Sequence, residues 1–74
     1  MKFKRITIDP DVCDGQPCIR GIEFPVTRLL GLLAAGETRE TILANHPYLE
    51  AADITQALRY LGHLAAGAPV ELGP

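Results

Sequence analysis

The stretch Gly15-Gln-Pro-Cys-Ile-Arg-Gly-Ile-Glu-Phe-Pro-Val26 limits what this chain can fold into more than any other. Two prolines and two glycines leave its backbone few routes. Asp14-Gly15 is a turn signal, and Pro17 pre-sets φ for an extended run holding Cys18 and Ile19. Arg20-Gly21 reads as the centre of a second tight turn, because Gly21 tolerates the positive φ that such a turn demands. Ile22, Phe24 and Val26 then alternate with Glu23 and Pro25, giving one apolar face and a small hairpin that Pro25 confines to a sheet edge or its end. Read from the residues alone, the stretch is a rigid cap over one side of a small core rather than a ligand loop.

Before it, Phe3 to Ile8 alternates like a strand, with Ile6 and Ile8 on one face and Arg5 and Thr7 on the other. Asp9-Pro10-Asp11 ends it. A lone strand needs a partner, either the hairpin or a second copy of the chain. Lys2, Lys4 and Arg5 form the densest positive patch, suited to protecting an edge strand or to touching phosphates.

From Val26 the apolar period becomes helical, through Val26, Leu29, Leu30 and Leu33, with Leu32 off the stripe and Gly36 as the stop. Thr38 is the N-cap of a short second helix with Ile42 and Leu43 inward, ending near Asn45-His46 because Pro47 follows. His46 is expected at the helix end, facing solvent. The third helix has Ile54, Ala57, Leu58, Leu61, Leu64 and Ala65 on its inward stripe. Leu49 and Ile54 staple its start around a cap near Glu50, and Asp53 sits where an acid reaches back to that cap. Its opposite face carries Gln56, Arg59, Tyr60 and His63, with Thr55 adjoining. Gly67 and Pro69 end it.

The expected organisation is one domain: a strand and hairpin segment over 1–25, a three-helix bundle over 26–66 and a loose tail over 67–74. The fold class is mainly α with a small N-terminal β element. A supporting helix, a short helix, a proline-containing turn and a longer helix with a polar face follow one another in the order of a three-helix, homeodomain-like helix-turn-helix domain.

At 74 residues the chain is near the size where one core is marginal. With two Phe, two Tyr and no Trp, that core is expected to be Leu, Ile, Val and Ala. The net charge of −2 provides no overall pull toward nucleic acid, so a DNA contact needs a local basic face. No apolar run has the length of a membrane span and no charged start followed by an apolar stretch suggests export, so a cytoplasmic protein is expected. There Cys13 and Cys18 are expected as free thiols. His46 and His63 lie too far from them for a zinc set, so no metal or cofactor is expected. No phosphate loop or nucleophile–base pair marks an enzyme.

The pattern Gly15-x-Pro17-x-Ile19-Arg20-Gly21-x-x-x-Pro25-Val26, preceded by Ile8-Asp-Pro-x-Val-Cys13, resembles the signature of the bacterial and archaeal domain-of-unknown-function family four hundred and thirty-three, whose members are often called VapB-type antitoxins. The likeness runs from about Ile6 to Leu64. It departs at Ile22-Glu23, where the family carries Thr-Arg, and at Asp14, where a Gly is usual.

The resemblance implies a helix-turn-helix fold with a small N-terminal sheet and a PIN-like ribonuclease toxin as partner. Operator DNA would meet helix three. Gln56 and Arg59 suit base edges, while Thr55 and Lys4 or Arg5 suit phosphates. The tail has no Lys or Arg, so a cation offered to the toxin must come from Arg20 or Arg28; for Arg20 the competing role is to hold the turn by hydrogen bonds to loop carbonyls. The alternative function is an interaction module that sequesters a partner without touching DNA. Small size, the unpaired strand and the spare leucine of helix one point to a homodimer.

Overall fold

A computed structural model of the chain describes residues 2–73. Its elements are β1 (Lys2–Phe3), β2 (Ile6–Thr7), a 3-10 turn (Cys13–Gly15), β3 (Cys18–Ile19), α1 (Val26–Ala34), α2 (Arg39–Asn45), α3 (Ala51–Ala65) and β4 (Glu71–Leu72). The class is mainly helical with a few very short strands.

The expected first strand is broken. A turn at Lys4-Arg5 separates β1 from β2, and the two go to different partners. β2 pairs antiparallel with β3, Ile6 opposite Ile19 and Thr7 opposite Cys18, whereas β1 pairs parallel with β4. The kink leaves Ile6 buried but Ile8 half exposed.

The predicted turn at Arg20-Gly21 is present. Both residues have positive φ, +46° and +72°, and Ile22 N–H closes the turn on Ile19 O at 2.9 Å. That is the type I′ pattern favoured in two-residue hairpins. The return arm is held by Ile19 N–H on Phe24 O and Val26 N–H on Pro17 O. Asp14 also lies in the left-handed region, at φ +55°, where glycine is the unstrained choice.

The helices start and stop largely where local chemistry directs. Thr38 Oγ1 accepts the Thr41 N–H at 3.1 Å and caps α2. Asp53 Oδ2 accepts the Glu50 N–H at 2.8 Å at the head of α3. Gly36 and Gly67, both at positive φ, end α1 and α3 in Schellman motifs, in which Glu37 N–H reaches Leu32 O and Ala68 N–H reaches His63 O.

The inward stripes differ from expectation at several positions. On α1, Leu30 is 44% exposed, while Leu32 is half-buried against the core. On α3, Leu58 and Leu64 are exposed and Tyr60 is buried. On α3 the N-terminal segment accounts for the burial of Tyr60. Phe3 lies against α3, edge-on to Tyr60 at 5.6 Å and to His63 at 5.3 Å, so the Tyr60–His63 part of a face that reads as wet is covered, while Arg59 stays exposed. His46 is also half-buried, edge-on to Phe24 at 5.1 Å. Both phenylalanines and Tyr60 therefore belong to the core with Ile6, Ile19, Leu29, Ile42 and Ile54.

The expected loose tail is tied down, at least as far as Gly73; Pro74 lies outside the described residues. Val70 and Leu72 pack on the core, and Gly73 N–H donates to Phe3 O at 3.0 Å and Ile6 O at 3.1 Å. A Cβ at position 73 would overlap the Lys4 backbone. Gly73→Ala should therefore free the tail, at a cost of about 1–2 kcal/mol from the lost backbone hydrogen bonds. Hydrogen exchange checks this: amide protection at residue 73 should collapse while α1 to α3 stay protected, and unchanged protection would refute it.

Candidate nucleic-acid interface

On α3 the residues Ala52, Thr55, Gln56 and Arg59 recur at i, i+3, i+4 and i+7, one continuous stripe of a helix. They line a shallow hollow of about 260 Å³. Two other elements reach this stripe. Arg39, in the first turn of α2, donates from Nη1 to Thr55 Oγ1 at 3.0 Å. The Lys4-Arg5 turn comes from the other side, with the Arg5 backbone N–H donating to Gln56 Oε1 at 2.5 Å. Of the residues singled out by type, Thr55, Gln56 and Arg59 thus share one stripe, and the turn that carries Lys4 and Arg5 reaches it through the Arg5 backbone. Arg39 joins them and was not legible as a member, because nothing in its local sequence says that it faces Thr55.

Arg5 does not offer its charge to this surface. Its guanidinium turns away to Glu50 Oε1 at 2.5 Å and Asp53 Oδ1 at 2.9 Å, and the hydrogen bonds it donates to Glu50 and Asp53 raise its pKa above the ordinary arginine value. Arg20 meets the same carboxylate with a fork: Nε lies 3.0 Å from Oδ1 and Nη2 3.1 Å from Oδ2. Arg20 Nη2 also donates to Tyr48 O at 2.6 Å. Arg20 therefore fastens its turn to α3 through Asp53 and to the loop before it through the Tyr48 carbonyl. Asp53 is fully buried. Burial pushes its carboxyl upward, but the hydrogen bonds from Arg20, the Glu50 N–H and Arg5 outweigh this and hold its pKa below the usual carboxylate value.

Arg28 lies elsewhere. Its guanidinium sits over the Phe24 ring, 4.8 Å from the centroid. Tyr48, half exposed, stands beside it with its hydroxyl 3.2 Å from His46 Nδ1. Arg28, Arg39 and Arg59 make no ion pair among the described residues.

A second hollow, of about 400 Å³, is lined by Asp11, Cys13, Asp14, Gln16, Glu23 and Pro25. Among the described residues, no group of three or more His, Cys, Asp and Glu is placed to hold a metal ion. Both cysteines are free. Burial, with the neighbouring Cys13 thiol, pushes the Cys18 thiol up to about 12, so it is held as a protonated core group. Among the described residues, no helix is long and apolar enough to cross a membrane.

Comparison with known proteins places this geometry in context. Residues 6–61 match the family model described as Protein of unknown function (DUF433). The chain is similar to a solved DUF433 member protein from Anabaena variabilis, with 34% identity and a TM-score of 0.79 over 86% of this chain. It spans 63% of that protein's length. No functionally curated protein matches it.

Proposed function

The chain belongs to the DUF433 family, and on that premise we propose that it is an antitoxin-like regulator that binds operator DNA through α3 and a PIN-like ribonuclease partner through a separate surface. On this reading α2, the Pro47 turn and α3 form a homeodomain-like helix-turn-helix, working in the cytoplasm as a homodimer. The observation that carries the DNA half is the convergence of Arg39, Thr55, Gln56, Arg59 and the Lys4 turn on one face of α3. The net charge of −2 favours the alternative below, so the DNA half rests on helix order and on local charge. The partner half rests on the family resemblance, with Arg28 as the candidate contact; Arg20 has its fork engaged by Asp53.

One observation favours the alternative of a protein-interaction module that leaves DNA alone. Tyr48 and Arg28, of residue types enriched where binding energy concentrates, each lie against the Phe24 ring and neither lines the α3 hollow. A mobility shift with the DNA upstream of the protein's own coding sequence, repeated across salt, separates the two readings. The DNA reading expects a shift at low salt that weakens steeply as salt rises. No shift at low salt, with partner capture intact, leaves the interaction module.

A further inference from the structure

We propose that the hollow on α3 is a seat for one phosphate group, held by Arg39, Thr55, Gln56 and Arg59. This deepens the DNA reading by naming the ligand class of that face, and its nucleic-acid source rests on that reading.

The direction of the donors leads to it. Thr55 Oγ1 accepts an N–H from Arg39 at 3.0 Å, so its own hydroxyl hydrogen is left to turn toward a ligand. Gln56 Oε1 accepts the Arg5 N–H at 2.5 Å, so its carbonyl is committed to the N-terminal turn and its NH₂ group remains. Arg39 and Arg59 carry donors only, and neither is neutralised by a described carboxylate. Ala52 completes the lining without a polar side chain. A rim that offers hydrogens and positive charge selects a group that has only acceptors and negative charge.

By residue type Gln56 and Arg59 suit base edges, but the bonding pattern alters the choice. Bidentate pairing of a glutamine to adenine needs its oxygen as well as its nitrogen, free to lie along the base edge, and here one lone pair of that oxygen holds the Arg5 N–H and ties the amide to the N-terminal turn. Cytosine shows an amino donor in the major groove, which would meet donors. The guanine edge is acceptor-only but uncharged, and leaves two guanidiniums unbalanced. A phosphate group carries charge and spreads its oxygens tetrahedrally, which suits donors arriving from both α2 and α3. Contacts of this type position a helix on a duplex and carry no sequence information.

The test has two arms. In the first, the isotopically labelled full chain is titrated with inorganic phosphate, with sodium chloride and acetate at matched ionic strength as references. Phosphate-specific NMR shifts are expected at the Arg39 and Arg59 side chains and the Gln56 NH₂, and should vanish in Arg39→Ala/Arg59→Ala. In the second, binding of duplexes of unrelated sequence is followed across salt. Arg39→Ala and Arg59→Ala should each lower the slope of log K against log salt by about one, with affinity lost evenly across sequences. If phosphate binds and no duplex does, the seat stands and the DNA reading falls. If duplex binds but phosphate produces no specific shift at these residues, the seat is overturned while the DNA reading survives. If acetate matches phosphate, or if the loss in Arg59→Ala is confined to guanine-containing sites, the phosphate assignment is overturned.

Discussion

Asp53→Ala should destabilise the protein by about 3 kcal/mol at neutral pH, the low end for breaking a buried ion pair, because Arg5 and Arg20 keep about a third of their side-chain surface in water. A domain of this size has roughly 4–11 kcal/mol in all, so this loss is a large share of the total and at the low end of that range would populate the unfolded state visibly. The substitution takes the carboxylate partner from Arg20, leaves Arg5 with Glu50 alone, and also removes the acceptor of the Glu50 N–H. Asp53→Asn keeps an oxygen for that N–H and should retain part of the cap, worth about 1 kcal/mol, while losing the charge.

Acid gives an independent check. The folded-state pKa of Asp53 is depressed, so its contribution is fully present above the unfolded value of about 4. It is lost as pH falls through the folded value. Urea unfolding of wild type should show stability declining below about pH 4. In Asp53→Asn the stability at neutral pH should already be low, and this part of the acid-induced decline should be missing. Equal acid sensitivity in the two proteins would remove Asp53 from its role as the ionised centre of the node.

Phe24→Ala should have an effect of similar or greater size, about 3–5 kcal/mol. Phe24 is fully buried, and its ring is the common neighbour of Arg28, His46 and Tyr48. Deletion leaves a cavity that α1 and the loop before α3 cannot both close, since that loop is tied to Arg20 through Tyr48 O. Phe24→Leu refills most of the volume and should cost less. Thermal melts that rank the three proteins wild type, Leu, Ala would agree; an alanine variant as stable as wild type would mean that the ring is not a core element. Because Arg28 and Tyr48 frame the candidate partner surface, Phe24→Ala should also weaken partner capture, even at temperatures where it is folded.

The contrast between what was legible and what was not follows from sequence separation. Caps and stops are local, so Thr38, Glu50, Gly36 and Gly67 mark the helix limits without knowledge of the rest of the chain. The Arg20-Gly21 turn is legible for the same reason. Which helix faces end up wet depends on what covers them, and periodicity cannot reveal that Phe3 lies on Tyr60 and His63. Leu30, Leu58, Leu64 and Tyr60 are therefore misplaced by pattern alone. The Asp53 node joins residues 33 and 48 positions apart, which leaves only the Glu50–Asp53 half visible in advance. The tail read as loose because it lacks a strand pattern, yet two residues and one close-packed glycine suffice to dock it. At the α3 face the outward residues were legible by helical spacing, but their bonding was not, and it is the bonds from Arg39 and the Arg5 N–H that the proposed phosphate seat is argued from.

That α3 carries the nucleic-acid contact is tested most directly by fluorescence anisotropy of a labelled upstream duplex at about 50 mM salt, where phosphate contacts are strong, with wild type beside Arg39→Ala/Arg59→Ala. Both side chains are exposed, so the double variant should keep the thermal midpoint of wild type within a few degrees, as surface changes do. The account predicts duplex affinity at least about tenfold weaker in the folded variant, in keeping with the loss of two phosphate contacts. Equal affinity in the two proteins, or no binding by wild type at this salt, would contradict it.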